Sequence, residues 1–539
     1  MFKEDLLEKS EKLQFKILKK IYLNNGRIAK YELCNTFNIS PPTLKSHIEK
    51  IDFLLKDNYH NKVQITYSKN DIILKYENYI NLEQLMSSCI KKSLKYKLLR
   101  YLFENSNNLS SGIKICNELN ISLSTLNRKI FECNCLLKEF DINIKNYRLE
   151  GSQSQIYYFF YSLFIVTGTV STNSNFLFNK LINFFNKKFK ISFNIKQKYS
   201  LYVWTTIINN RKFFFKKEFF NNNFYKDNIK KLNNNVFFLE LKTFFEKNYF
   251  NKNIGEYISF MTICFILSFD LFPIDFIFNN IEFKNNMAFK TYKLIFNQIN
   301  ELYISPTNNF NNTLKCNLLS ICYKQYFFKG ILYSNDYITT NHYLSEFSSY
   351  SRKKFVENLL LKIHNSTTNY HIDDEYFKFC VILTLNYING NTKYPINIGV
   401  LSQSENLTLS STINDLNNAL RKKFDVIVEI YDENKKRYDL VITNFNINFK
   451  CLVNNCDNIY FFTNLGIKYD LENIIKLLDK IEEKKWENNL YYIVLFTIIF
   501  IYIIVLTLLT NKNRVSFKLK LTLFFIFFIL RKVSSNFYS

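Results

Sequence analysis

The sequence predicts a multidomain, mainly α-helical protein that begins with two tandem winged helix-turn-helix domains. Three observations lead to this fold class. Residues 34–56 and 116–138 form an ungapped internal repeat, in which Cys, Asn-Ile-Ser, Thr-Leu and Leu-Leu-Lys recur at matching places. Residues 154–394 carry broad apolar faces at helical spacing. Beyond Pro395, apolar strands alternate with helices, which indicates a small α/β domain with a mostly parallel sheet.

Each copy of the repeat has the pattern of a helix-turn-helix. A short apolar segment leads to a polar turn, which is 38–40 in the first copy, and then to a second helix. Ser40 and Ser122 stand where a helix N-cap belongs, and Pro41 takes the first helical position, where its missing N–H costs nothing. An apolar helix before each copy completes a three-helix bundle.

The side chains that should face outward near the start of each second helix suit DNA. Their types bind phosphates and base edges in a major groove. In the first copy these candidates are Thr43, Lys45, Ser46, His47 and Lys50, and in the second they are Ser124, Thr125, Asn127, Arg128 and Lys129. We therefore expect double-stranded DNA as the partner.

A short alternating sequence follows each bundle and predicts a hairpin, the wing. Val63, Ile65 and Tyr67 alternate before a polar turn, and 72–76 returns. In the second copy Ile142 and Ile144 precede a turn, and residues 147–149 return. The alternative is a solenoid of packed helical repeats. The turn motif and the lack of a third copy favour the winged helix-turn-helix.

Composition supports an anionic partner only weakly. The formal net charge is +25, which suits nucleic acid or an anionic membrane surface, but Lys and Asn are also abundant in chains encoded by AT-rich sequence. The eleven cysteines are scattered, and the sequence opens with an amphipathic helix instead of a secretory signal. We expect these domains to face a reducing cytosol.

The motifs of common enzymes and metal sites are missing from the sequence. The only close cysteine pairs are Cys133 with Cys135 and Cys451 with Cys456, and neither has a second pair or a histidine at zinc-ligand spacing. The five histidines form no HExxH motif, and no glycine-rich phosphate loop is found. We predict no catalytic residue, no metal site and no cofactor, and we do not expect an enzyme.

The rest of the chain divides into a helical part and an α/β part, according to the spacing of its apolar residues. Helical segments are expected at 156–166, 199–208, 257–271, 289–302 and 375–387, and the α/β part has expected strands at 396–401, 426–430, 440–443 and 459–463 with helices at 410–423 and 470–483. The expected domains are two winged helix-turn-helix domains at 5–78 and 79–152, two helical domains at 153–280 and 281–393, an α/β domain at 394–485 and an apolar tail at 486–539.

This order of parts resembles the Mga-type virulence regulators of Gram-positive bacteria, the group that includes the anthrax toxin activator. The most specific strings are Ser122–Ile130, Leu136–Phe140 and Leu149–Gly151, followed by Gln155–Leu163. They are similar to the second DNA-binding domain of that family and to the segment that follows it. The resemblance covers roughly residues 5 to 485, and beyond Leu163 it rests on domain order.

The resemblance implies control by a sugar phosphotransferase system (PTS). The family's helical domains are similar to PTS-regulatory domains, which a phosphocarrier phosphorylates on histidine, and its last domain resembles a IIB component and suggests a homodimer or homo-oligomer. Here no histidine lies between His60 and His342, so the candidate sites are His342, His364 and His371. The chain reads Val-Leu-Ser-Gln-Ser at 400–404, where a IIB enzyme carries its cysteine. We therefore do not expect phosphoryl transfer by the α/β domain.

The tail departs from the family. Leu490–Leu509 is an uncharged run of 20 residues, long enough to span a bilayer, whereas Leu521–Leu530 is too short. One interpretation is a membrane anchor with the DNA-binding portion in the cytoplasm; the other is an accidental AT-rich extension. The basic flank at 514–520 favours the cytoplasmic side, which conflicts with a single span unless the segment forms a re-entrant hairpin.

Together these features predict a sequence-specific DNA-binding transcription regulator, and the resemblance implies an activator of virulence or carbohydrate-linked genes. One alternative is a plasmid replication initiator, which can also use tandem winged helices. Another is a membrane sugar-sensing component without DNA binding, which only the tail favours. The target genes and the effector cannot be read from the sequence.

Overall fold

The computed structural model describes most of the chain up to residue 485. The described residues are 1–59, 62–76, 81–105, 111–168, 176–211, 223–249, 252–281, 286–302, 308–333, 340, 344, 348–366, 372–388, 395–402, 406–432, 434, 437–444, 456, 458–462 and 469–485. They fall into two compact units. The first unit contains 1–348, 352–395 and 421–425, and the second contains 349–351, 396–420 and the chain from residue 426.

The first helix-turn-helix unit is a three-helix bundle with a small sheet. Its helices are α1 (Lys9–Leu23), α2 (Lys30–Phe37) and α3 (Pro41–Tyr59). Its strands are β1 (Arg27–Ala29), β2 (Val63–Tyr67) and β3 (Asp71–Tyr76). They pair antiparallel in the order β1-β3-β2. The sequence did not predict β1, because three residues are too few to show an alternation.

The second helix-turn-helix unit repeats this plan with a shorter hairpin. Its helices are α4 (Leu82–Lys92), α5 (Leu94–Glu104), α6 (Gly112–Leu119) and α7 (Leu123–Leu137), and its strands are β4 (Ile142–Lys145) and β5 (Arg148–Gly151). The two strands pair antiparallel through a turn at Asn146 and Tyr147, whose φ angles are 49° and 58°. Two successive positive φ angles are typical of the tight hairpin turn that matches strand twist.

The turn between the two repeated helices has the same geometry in both copies. Asn38 and Asn120 end α2 and α6 in the left-handed region, with φ angles of 51° and 52°. The next amide, from Ile39 or Ile121, donates to the carbonyl of the cysteine five residues earlier at 3.1 or 3.0 Å. Asparagine tolerates this left-handed position better than most residues, which explains why it stands there in both copies.

A large helical region follows and confirms the mainly helical architecture. Its helices are α8 (Gln153–Thr167), α9 (Phe176–Phe189), α10 (Ile195–Arg211), α11 (Asn223–Leu232), α12 (Val236–Tyr249), α13 (Lys252–Ser268), α14 (Ile274–Asn280), α15 (Met287–Leu302), α16 (Asn308–Phe327), α17 (Tyr350–Ser366) and α18 (Asp374–Tyr387). Helices α8 and α13 are buried around most of their circumference. Trp204 on α10 lies between them, stacked on Phe265 at 4.3 Å with its indole N–H donating to Thr262.

The second of the two compact units, which contains residues 396–420 and the chain from residue 426, is built on a four-stranded parallel sheet. Its strands are β6 (Ile396–Leu401), β7 (Val426–Ile430), β8 (Leu440–Thr443) and β9 (Ile459–Phe461), in the order β7-β6-β8-β9. Helix α19 (Asn406–Arg421) connects the first two strands, and helix α20 (469–485) follows the last. Parallel neighbours need such crossover connections, which explains the alternation of strands and helices in the sequence.

Two predictions fall outside the described residues. His342 and His371 are among the residues that the structure does not describe, and so is the apolar run at 490–509. Within the described ranges, no helix combines the length and the apolar character that crossing a bilayer requires. Membrane anchoring stays a prediction from the sequence.

Candidate DNA-binding interface

Helix α3 separates its apolar and polar faces as the repeat pattern predicts. Its inward residues are buried, namely Leu44, Ile48, Ile51 and Leu55. Thr43, Lys45, Ser46 and Lys50 are exposed, and His47 is half-buried. Burial and the neighbouring charge of Lys50 lower the pKa of His47, so this imidazole is neutral at pH 7. The start of α3 thus presents two cations and several hydrogen-bonding groups.

Helix α7 has the corresponding surface in the second unit. Leu126, Cys133 and Leu137 are buried against the bundle. Ser124, Asn127 and Arg128 are exposed, and Thr125 is half-buried. The polar side chains on the first two turns therefore lie on the solvent side, at the positions equivalent to those of α3.

Lys129 does not face solvent, and that part of the sequence prediction is wrong. Only 3% of its surface is exposed. Its ammonium lies 2.7 Å from a carboxylate oxygen of Glu8 and 2.8 Å from one of Glu132. Burial alone would lower the pKa of Lys129, but the hydrogen bonds to these carboxylates outweigh burial and raise it. Its ammonium is thus held between Glu132 of its own helix and Glu8 at the start of the first helix-turn-helix unit.

The helix caps involve two of the predicted DNA contacts. The Ser40 hydroxyl accepts the amide hydrogen of Thr43 at 3.4 Å, and the Ser122 hydroxyl accepts that of Thr125 at 3.3 Å. The two threonine hydroxyls also lie 2.8 and 3.0 Å from the same serines. The threonines thus help to fix the N-terminus of each helix, which is where a phosphate would approach the helix dipole.

A side chain of each second helix also holds the wing. Asp52 accepts the amide hydrogen of Ile65 at 3.0 Å, and Asn134 accepts that of Ile144 at 2.6 Å. Asp52 and Asn134 occupy the same place in the internal repeat. They are not among the residues predicted from the sequence, although a polar residue stands at this repeat position in both copies.

The second wing adds a pair of cations. Lys145 and Arg148 stand opposite each other across the β4–β5 hairpin, and both are exposed. Within the described part of the chain, no carboxylate lies within salt-bridge distance of Lys145, Arg148 or Arg128. These charges are therefore available to phosphates. The sequence pattern predicts the hairpin but not this pair, because Lys145 and Arg148 become neighbours only when β4 and β5 pair.

Comparison with known families gives one match. Residues 78–164 match the Mga helix-turn-helix domain, a domain of DNA-binding transcription regulators. The matched residues include α4 to α7, the second wing and most of α8. Over this part the chain resembles the Mga-type regulators. No curated protein matches the chain.

Proposed function

We propose that this protein is a sequence-specific DNA-binding transcription regulator that contacts duplex DNA through the starts of α3 and α7. The observation that carries this proposal is the second helix-turn-helix unit. There the match to the Mga helix-turn-helix domain coincides with an exposed polar helix start and with cations on α7 and its wing that have no carboxylate partner among the described residues. The equivalent polar surface on α3 supports a second contact.

Each exposed group has a role that its chemistry suits. Arg128 can form a bidentate contact with guanine or bind a phosphate, and Asn127 can pair with adenine. Lys45, Lys50 and the wing cations Lys145 and Arg148 suit phosphates, which position a protein on DNA without reading its sequence. His47 is neutral and can exchange a hydrogen bond with a base edge. Lys129 is buried and is not proposed to contact DNA.

The experiment starts by selecting preferred sites from a random DNA library with the full-length protein. Arg128→Ala is then compared with Lys187→Ala, an exposed cation on α9 far along the chain. Loss of one phosphate contact should reduce the slope of log K against log salt by about 0.9, and loss of a base contact should cost about 1–3 kcal/mol in discrimination. If Arg128→Ala binds like Lys187→Ala at every salt concentration, α7 is not a recognition helix.

Chromatin immunoprecipitation separates this function from replication initiation. A regulator should occupy promoters, whereas a plasmid replication initiator should occupy repeated origin sequences. No feature of the described residues favours melting of DNA over regulation. Peaks confined to an origin would contradict the proposal.

The finer role that we propose is that of an oligomeric activator of virulence or carbohydrate-linked genes, modulated by the PTS phosphocarrier. His364 supports this proposal, because its imidazole is 43% exposed and its Nε2 lies 3.0 Å from a carboxylate oxygen of Asp374. Phosphohistidine mass spectrometry after reaction with the purified carrier should find phosphate only on His364, His342 or His371. Phosphate on Ser402 would contradict this.

Carbonate extraction of the full-length protein from membranes tests the proposed anchor at 490–509.

A further inference from the structure

The first residues of the chain lie on the second helix-turn-helix unit. We call residues 3–8 the N-terminal arm. The Lys95 ammonium on α5 donates to the backbone carbonyls of Asp5 and Leu7, both at 2.6 Å. Lys3 is buried and pairs with Glu83 of α4. The arm thus uses backbone and side-chain contacts with two helices of the second unit.

Apolar burial reinforces these polar contacts. Leu6 and Leu7 of the arm are completely or almost completely buried, with 0% and 1% of their surfaces exposed. Helix α1 of the first unit begins at Lys9, directly after the arm. No residue therefore separates the part of the chain bound to the second unit from the first helix of the first unit.

Lys129 connects the arm to the helix that carries the proposed DNA contacts. It belongs to α7, one residue after Arg128, and its ammonium pairs with Glu8 at the end of the arm. Glu8 is the N-cap residue of α1, and its own amide donates to Glu11 at 3.1 Å. This ion pair joins α7 to the start of the first helix-turn-helix unit.

Because Lys129 is buried, its ammonium depends on particular partners. A buried ammonium is stable only where carboxylates and hydrogen bonds compensate for lost water, and Lys129 has both Glu8 and Glu132. Glu132 is on α7 itself and holds the ammonium from one side. Only Glu8 comes from the other unit, so the position of the arm is tied to the orientation of Lys129. In the first copy the same repeat position is His47.

We propose that Lys129 is a positioning residue that joins the two helix-turn-helix units into one DNA reader with a fixed separation between α3 and α7. This inference rests on the proposed function. It specifies how the protein selects its targets, because two rigidly joined recognition helices bind two half-sites only at one spacing.

The physical consequence concerns DNA spacing. The duplex turns once in about 10–10.5 base pairs, so an insertion of about five base pairs moves the second half-site to the opposite face. A rigid pair of recognition helices then keeps only one set of contacts. A flexibly linked pair can adjust, at the cost of a lower effective concentration of the second unit.

The test uses three variants of the full-length protein. Lys129→Met keeps the aliphatic stem and removes the charge, Lys129→Arg keeps the charge, and Lys187→Met is the exposed control. Each protein selects from a library in which the two half-sites found with the parent are separated by variable spacers. The parent, Lys129→Arg and Lys187→Met should enrich one spacing. Lys129→Met should enrich several, with about tenfold weaker binding at the parental spacing.

A second measurement works without DNA. Hydrogen exchange reports on the amides of Leu7 and Lys12, which donate to the carbonyls of Glu4 and Glu8. These amides should exchange faster in Lys129→Met than in Lys187→Met, because the arm is released from α7. Unchanged exchange, or a single enriched spacing in Lys129→Met, would overturn the positioning role. A parent that selects no DNA sequence would refute the proposed function, and exchange would still show whether Lys129 joins the units.

Discussion

At the scale of single residues, Lys129 and Lys324 differ in the partners that compensate their ammonium groups for lost water. Lys129 has two carboxylate partners. Lys324 on α16 is half-buried and has no carboxylate partner within the described ranges; its ammonium lies 3.1 Å from the Tyr376 hydroxyl and 5.3 Å from the centre of the Phe269 ring. Burial lowers the pKa of Lys324 to about 8. The residue type alone shows neither the paired ammonium of Lys129 nor the lowered pKa of Lys324.

We predict that Lys324→Met stabilises the protein at pH 7. The pKa of Lys324 falls from 10.5 in the unfolded chain to about 8 in the folded protein, so the charged form disfavours folding. The shift corresponds to about 3 kcal/mol below pH 8, reduced by any loss of the ring contacts. The melting temperature of Lys324→Met should exceed that of the parent at pH 7.

The pH dependence checks the cause of that effect. For a lysine with a lowered pKa, the stability of the parent rises as the pH increases from about 8 to 10.5, because the folded state is then already neutral. The advantage of Lys324→Met should therefore shrink over this window. Lys187→Met, an exposed control, should show no such trend. An advantage that is constant from pH 7 to 10 would mean that packing, not charge, sets the difference.

At the scale of elements, the wings are oriented by the second helices of their own units. Asn134 of α7 accepts from the Ile144 amide at 2.6 Å and donates to the Ile144 carbonyl at 3.1 Å. Asp52 of α3 accepts from the Ile65 amide and also pairs with Lys56. Each helix therefore fixes both the side chains that we propose to contact DNA and the direction of its wing.

We predict that Asn134→Ala destabilises the second wing by about 1–3 kcal/mol, because it removes both partners of Ile144. Asn134→Asp should cost less, since it keeps an acceptor for the Ile144 amide. Hydrogen exchange of the β4 amides should follow the order alanine, aspartate, parent, from fastest to slowest. Equal exchange in the alanine variant and the parent would show that the β4–β5 ladder alone holds the wing.

At the scale of the whole molecule, the segment that follows α16 connects the helical region to the second helix-turn-helix unit. Glu139, two residues after α7, accepts from the Ile331 amide at 2.7 Å. Tyr158 of α8 donates to the Gly330 carbonyl at 2.8 Å. Gly330 has a φ of 75°, and a side chain there would lie 2.8 Å from the Glu139 carbonyl. This backbone can approach so closely only because residue 330 is glycine.

Gln155 completes this junction. Its side chain accepts from the Lys329 amide at 3.2 Å and donates to the Phe140 carbonyl at 3.1 Å. The ring of Tyr158 stacks on Phe328 at 4.5 Å. Both Gln155 and Tyr158 belong to the string by which the sequence resembles the Mga-type regulators. The polar residues of that string therefore make specific contacts with a segment about 170 residues away.

The sequence by itself determined the repeated helices α2, α3, α6 and α7, the polar turns between them and, apart from Lys129, which side chains at the starts of α3 and α7 face outward. These features depend on neighbours within about one or two helical turns, so periodicity and caps reveal them. Only the tertiary structure decided that Lys129 is buried, that β1 pairs with β3 and that the backbone at Gly330 approaches Glu139. Lys129 and Glu8 are 121 residues apart, and no local pattern shows which distant surface covers an outward-facing side chain. A lysine on the polar face of a helix looks exposed until another part of the chain buries it.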